Sequence, residues 1–276
     1  MPEILTDLSH DEYLADLSIS KSKLDLFARD ANSLEWAEHC PVDSDKLKTL
    51  DFGKAMHAIC LEPDKLKTKF TVLPDLNLRT NAGKAEKAEF LEANQEKTIL
   101  TYDDHKKLNL MFESVMAHPM ARNLIEAEGS AEISCFWTDE KTGITCKCRP
   151  DKDIANSDII VDIKTTDMLS KFRYSVEDYR YYVQAPYYTD GMTVCGQQKN
   201  EMLFIVIQKT IELGRYPVAV MSLPPEIVQY GCETYRKNLD DYAEFLAAAD
   251  VSRPVEIEMH PGFYGRMDNK TVQEII

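Results

Sequence analysis

The sequence holds no apolar run of about 18 residues, the length a membrane-crossing helix needs, so it is not read as a membrane protein. Its opening stretch, MPEILTDLSHDEYLADLS, lacks the basic-then-apolar order of a secretory signal, which points to the cytoplasm. Internal repeats and low-complexity tracts are absent. Cations are scarce: 32 Lys and Arg face 47 Asp and Glu, for a net charge of −15. That argues against a non-specific binder of polyanions, because phosphate contacts need local Lys and Arg. A basic channel inside an acidic exterior stays compatible with it, since net charge belongs to the whole surface. The seven cysteines are odd in number and scattered, and Cys146-x-Cys148 has no second pair to complete a zinc site. They read as reduced core residues and not as a disulfide framework.

What is present is ordinary globular composition, 44% hydrophobic and 29% charged over 276 residues. That is enough chain to bury a sizeable core in one large domain or in a core with additions. Residues 1–19 are acidic and weakly patterned and read as a linker or N-terminal extension. Ser20 or Ser22 caps a helix running to about Cys40, closed by Pro41. A second helix spans 45–62, ended by Pro63, with Phe52, Met56, Ile59 and Cys60 on its buried side and His57 one step round. Asn77–Lys87 is a loop entering a helix, whose Arg79, Lys84 and Lys87 suit phosphate contacts beside a helix N-terminus. Thr101 caps a helix to about Ala117, and His118-Pro119 opens a short one to about Glu126.

Residues 131–164 carry three strands: 131–137, 144–151 and 157–164. The turn Ala155–Asp158 folds the second onto the third as a hairpin. Side chains two apart on a strand share a face, so Asp162 and Lys164 point one way while Ile163 enters the core. The hairpin brings Asp151 to the same spot. Two carboxylates that close repel unless a positive charge lies between them. Mg²⁺ (or Mn²⁺), with its preference for oxygen ligands, meets that need, and it can acidify a water for attack on a phosphodiester. An aromatic-rich helix follows at 172–190, where Gln184 and Tyr188, four apart, share a face and Pro186 costs a backbone hydrogen bond. Strands at 201–209 and 215–223 and a helix from about Glu226 to Ala249 complete the pattern. The last 27 residues, with His260, Arg266 and Lys270, look irregular, and those from 261 form a tail. The fold expected is α/β, a mixed central sheet from about 131 to 223 flanked by helices, with a helical N-terminal part (20–130) and a sheet core (131–250) in one domain over 20–260.

Pro150-Asp151…Asp162-Ile163-Lys164 resembles the signature of the PD-(D/E)xK nucleases. Gly53-Lys54-Ala55-Met56-His57-Ala58-Ile59-Cys60-Leu61-Glu62 resembles the helical G-x-x-x-H-x-x-x-L-E segment of their RecB-like branch. Gln184-Ala185-Pro186-Tyr187-Tyr188 resembles its Q-x-x-x-Y motif. From about Ser20 onward the order and spacing are most similar to the nuclease domain of RecE-type exonucleases (exonuclease VIII). The late cysteine cluster that carries an iron–sulfur centre in some of the branch is missing. The resemblance implies that His57, Asp151, Asp162 and the Ile163 backbone carbonyl hold the metal and that Lys164 assists the attacking water. Gln184 and Tyr188 would give support, and Thr165 and Thr166 would position the scissile strand. Glu132 is either structural or auxiliary to the metal, and Arg149 packs beside the site. The resemblance further implies 5′→3′ digestion of linear double-stranded DNA to a 3′ overhang, a tetrameric ring, and transfer of the strand to a RecT-like single-strand-annealing recombinase. A structure-specific or restriction-type endonuclease and a non-catalytic DNA-binding module remain as alternatives.

Overall fold

The computed structural model describes residues 2–31, 33–40 and 44–248. Pro41 and the tail with His260, Arg266 and Lys270 lie outside them. In chain order come β1 (Glu3–Leu5), α1 (His10–Ala15), β2 (Ile19–Ser20), α2 (Lys21–Arg29), α3 (Ser33–His39), α4 (Ser44–Leu61) and α5 (Pro63–Lys69). Next are β3 (Phe70–Val72), α6 (Asn81–Ala93), β4 (Thr98–Leu100), α7 (Tyr102–Ala117) and α8 (Pro119–Glu126). The strand-rich part holds β5 (Gly129–Ala131), β6 (Ser134–Thr138), β7 (Thr145–Cys148), β8 (Lys152–Ile154) and β9 (Ile159–Thr166). It is followed by α9 (Phe172–Asp178), α10 (Tyr181–Val194), β10 (Glu201–Gln208), β11 (Val218–Met221) and α11 (Pro225–Ala247).

Strand β9 is the middle of a five-stranded mixed sheet ordered β11-β10-β9-β8-β5, in which β9 and β10 run parallel and the other neighbours antiparallel. Both of its faces are covered. Val161, Ile163, Leu203, Ile205 and Ile207 pack against α4, α7 and α8. Ile160, Met202, Phe204 and Val206 pack with α10, α11 and a second sheet ordered β1-β6-β7-β2. A parallel pair buried on both faces reads in sequence as a near-continuous apolar run, as EMLFIVIQ does.

The structure departs from the sequence expectation in ways that bear on function. The one central sheet is two, because the hairpin of residues 129–138 and 145–154 is bent in the middle. Its outer half, β6–β7, belongs to the four-stranded sheet, and its inner half, β5–β8, to the five-stranded one. Of the stretch 1–19 expected as a linker or N-terminal extension, residues 2–19 are built in: β1 pairs with β6, β2 pairs with β7, and Tyr13 of α1 is buried. The alternation that gave the core strands was read from apolar runs, and a three-residue edge strand carries too little of it to register. The helix expected over 20–40 is two, since Asp30 drops into extended backbone. The helix expected over 172–190 breaks at Arg180, which has a left-handed φ of 52°. Pro63 does end α4, but it also starts α5 from the first helical position, where its missing N–H is not needed.

Pro186 sits inside α10 and supplies no N–H to the carbonyl of Tyr182 one turn back. That carbonyl faces α11 at Gly231, where an added methyl would stand 1.7 Å from Tyr182 O and 3.1 Å from Pro186 Cγ. Glycine is required there by the close approach of two helices. Gly231→Ala is expected to lower stability by about 1–3 kcal/mol, the usual range for overpacking, or more. Urea unfolding measures it, and an unchanged midpoint would show that α10 and α11 do not meet at this point.

Candidate active site

The bend in the hairpin makes the site. On one strand Glu132 takes a left-handed φ of 54°, a conformation that costs a non-glycine residue roughly 1–3 kcal/mol and persists only where its surroundings hold it. On the other, Pro150 has no N–H for a ladder. Across the bend the Glu132 N–H donates to Asp151 O at 3.0 Å. The two carboxylates therefore leave the hairpin at the same corner, beneath α4. His57 Nδ1 lies 3.2 Å from Asp151 Oδ2 and 4.0 Å from Glu132 Oε1. One ligand atom from each of His57, Glu132 and Asp151 falls within 4.8 Å of the other two.

Asp151 is stitched to the neighbouring strand by the Ile163 N–H, which donates to Oδ2 at 2.6 Å. In an extended strand a residue's N–H and C=O leave on the same edge, so the Ile163 carbonyl is directed to the Asp151 side as well. Asp162 and Lys164 lie on the other face of β9. Asp162 is 2% exposed, and its Oδ1 accepts from Gln184 Nε2 at 2.6 Å. Its Oδ2 stands 2.6 Å from Lys164 Nζ, yet it is buried without a well-directed hydrogen bond. Lys164 Nζ also sits 4.7 Å from the centre of the Tyr181 ring.

The charges follow from this crowding. Burial raises the Glu132 carboxyl to about 7, with the Asp151 charge adding to it against the pull of His57 and Arg149. Burial and Asp151 likewise push Asp162 up. Burial disfavours the His57 imidazolium, but the Asp151 carboxylate and its hydrogen bond outweigh that and raise the group to about 9. Lys164 is buried too, and Asp162 and then Asp151 hold it in its ammonium form. Three carboxyls share this corner with His57, Lys164 and Arg149. Its oxygen-and-imidazole donor set suits a divalent ion.

The residues singled out from the sequence are distributed as follows. His57, Asp151, Asp162, Lys164 and Gln184 form one connected cluster, with the Ile163 backbone at its centre. Glu132, read as structural or auxiliary, is in the tightest potential ligand group, whereas Asp162 is engaged by Lys164 and Gln184. Tyr188 is half-buried and, with Gln184 and Lys164, lines a cleft of about 430 Å³ beside Asp162. Thr166, on the Lys164 face, spends its hydroxyl on the turn at Met168, and Thr165 points to the opposite face. Arg79 and Lys84 are exposed and Lys87 half-buried around the Thr80-capped start of α6. None of these three makes an ion pair with the cluster among the described residues. His118 caps α8 through Nδ1, as its place before Pro119 suggests.

Sequence reasoning missed the cleft's other wall. Lys21, the first residue of α2, donates to Tyr179 O at 2.5 Å and pairs with Asp25 at 2.6 Å, and Arg180 pairs with the same carboxylate at 2.8 Å. Lys21, Arg29, Tyr179 and Tyr181 all line the cleft. Nothing in the local pattern of α2 sets Lys21 apart from a surface lysine; only the packing of α2 against the turn at Arg180 does. A larger cleft of about 640 Å³, between α7, α8 and residues 211–218, holds none of the carboxylates.

With the fold and this corner in view, the comparisons place the chain. It matches the PDDEXK-like domain of unknown function (DUF3799) over residues 20–256 and belongs to that family. Its fold is also that of a candidate exonuclease from Eubacterium rectale, known from a crystal structure: TM-score 0.60 at 11% identity, covering 92% of this chain and 96% of that one. Weaker similarity extends to an alkaline exonuclease from Laribacter hongkongensis (TM-score 0.28, 12% identity, 62% of this chain and 86% of that one). A phage-related exonuclease from Haemophilus somnus is similar to the same degree (TM-score 0.29, 12% identity, 61% and 84%). No curated protein matches the sequence. No helix among the described residues is long and apolar enough to cross a membrane.

A ligand that binds the folded state at a hundred times its Kd stabilises it by about 2.7 kcal/mol. Mn²⁺ added to that level is expected to raise the melting temperature of the wild type and to leave Asp151→Asn unmoved. Scanning calorimetry with and without Mn²⁺ checks it; an equal rise in the variant would place the ion elsewhere.

Proposed function

We propose that the protein is a divalent-metal-dependent nuclease that digests linear double-stranded DNA from an end. The observation that carries this reading is the corner itself. Asp151, Glu132 and His57 converge on one point, and Asp162 and Lys164 adjoin it on the next strand. A cleft with basic and aromatic walls opens beside them. A structural hairpin has no need to gather three carboxyls in a buried place, where the Asp151 charge raises the other two. A non-catalytic binding module has no need of them either.

His57, Asp151, Asp162 and the Ile163 carbonyl, with Glu132 as a further donor, would hold Mg²⁺ or Mn²⁺. When bound, the ion supplies positive charge to a phosphate oxygen and acidity to a water. The side chains do the rest. Lys164 donates: its ammonium can hold a phosphate oxygen or orient a water through that water's lone pair. Gln184 fixes Asp162 through Oδ1, so the other oxygen stays turned toward Lys164 and the site. Arg29, exposed in the cleft, suits a phosphodiester backbone, and the exposed Tyr179 ring offers a face for a base. A net charge of −15 then falls mostly outside the cleft and disfavours binding elsewhere.

The finer reading follows the RecE-type resemblance together with the exonuclease descriptions of the similar structures. It is 5′→3′ degradation of one strand to leave a 3′ overhang for recombination by strand annealing. The enzyme would act as a tetrameric ring alongside a RecT-like recombinase, with residues 20–260 as the nuclease domain.

End-labelled linear duplex, with nicked and closed circles as controls, tests this directly in Mg²⁺. Release of 5′ label from linear DNA only is expected. Asp162→Ala and Lys164→Ala should each lower the rate at least about 10²–10³-fold, the usual loss when one group stabilising transition-state charge is removed. Cutting of closed circles would make it an endonuclease, and no cleavage in any metal would sink the catalytic reading.

A further inference from the structure

We propose that Arg149 is a positioning residue for the Glu132 carboxylate, and that residues 2–16 form a strap holding Arg149 in place. This rests on the metal-dependent reading of the site.

Arg149 follows β7 directly, and its side chain is 8% exposed. Four of its five N–H groups are used. Nε donates to Glu132 Oε2 at 2.9 Å and Nη1 to Ser134 Oγ at 2.8 Å. Nη1 and Nη2 both donate to the Leu8 carbonyl at 3.2 Å. The guanidinium lies 5.5 Å from the centre of the Tyr13 ring. One oxygen of Glu132 is thereby anchored, and the other is the one that stands 4.0 Å from His57 Nδ1. Without that anchor the carboxylate would face Asp151 with only the more distant His57, which Asp151 already holds, as its cation and would gain by rotating away. The strained backbone of Glu132 makes the anchor matter more, because the residue cannot relax by shifting its main chain without losing the bond to Asp151 O.

The strap is clamped at more than one place. Lys147, two residues earlier in β7 and 2% exposed, donates to the carbonyls of Tyr13 and Asp16, with its Nζ 4.5 Å from the centre of the Tyr13 ring. At its start β1 pairs with β6. Two buried cations, one in β7 and one just after it, thus end on backbone carbonyls of residues 8–16, a use of charge that apolar packing alone does not require. Arginine suits the task because a planar fork can bond a carboxylate, a hydroxyl and a carbonyl at once, which a lysine ammonium cannot reproduce at the same points.

The test is isothermal titration of Mn²⁺ alone into the full chain, for wild type, Arg149→Met, Glu132→Gln and the double variant, each checked for folding by circular dichroism. Arg149→Met should weaken Mn²⁺ binding roughly 10–100-fold, as loss of a group orienting a metal ligand does. In the Glu132→Gln background it should add nothing further. Deletion of residues 1–9 should reproduce the Arg149→Met loss. Should Arg149→Met fail to fold, Arg149→Lys keeps a buried cation, and the same weakening is expected of it. Mn²⁺ binding by a folded Arg149 variant as tight as in the wild type, or losses that multiply in the double variant, would overturn the proposal and leave the nuclease reading standing. A wild type that binds no Mn²⁺ would overturn both.

Discussion

The hydrogen bond from Ile163 N–H to Asp151 Oδ2 is the contact on which the rest of the site depends. It joins the end of a bent hairpin to the central strand at the point where regular ladder pairing stops, since β8 and β9 pair only through Asp153 and Lys152. A backbone donor buried there must find an acceptor, and the side chain of Asp151 is that acceptor. The carboxylate is thereby held in the core, 7% exposed, where it would not otherwise go. Once it is fixed, His57 on α4 lies on one side of it and Glu132 on the other, and the electrostatics described above follow.

The division of the hairpin between the four- and five-stranded sheets has the same origin. A straight hairpin from 129 to 154 would carry Glu132 and Asp151 along one ladder, as ordinary cross-strand neighbours. The left-handed turn at Glu132 and the proline at 150 bend it, so that its halves serve different sheets and its corner opens toward α4. The N-terminal residues fill the outer side of that bend with β1 and α1. The backbone strain at Glu132 is therefore spent where three titratable groups meet, and Lys147 and Arg149 tie the remaining side of the corner to residues 8–16.

Much of this could be seen in the sequence and some could not, for physical reasons. The apolar runs 159–163 and 202–207 announce buried strands because both faces of their sheet are covered. Alternation alone puts Asp162 and Lys164 on one face. Thr101, His118-Pro119 and Pro224-Pro225 mark helix starts through local chemistry, and the structure has helices beginning there. The α/β class with a mixed sheet flanked by helices is the fold observed. The bend was not visible, since a left-handed glutamate leaves no trace in composition and Pro150 reads equally well as a strand end. The roles of Lys21 and Lys147 were hidden for the same reason: a buried lysine looks like a surface lysine until its carbonyl partners, more than a hundred residues away, are known. Strands β1 and β2 are too short to show a period, while Ser9-x-x-Glu12, the capping box that opens α1, is a local signal the reading passed over.

The central claim is that the bent hairpin exists to gather metal ligands at one corner. Anomalous diffraction from crystals grown with Mn²⁺ tests it most directly. The account predicts a peak within bonding distance of the Asp151 carboxylate and the His57 imidazole, on the side toward which the Ile163 carbonyl points. A peak at another place on the chain, with the corner still held only by its own side chains, would contradict it.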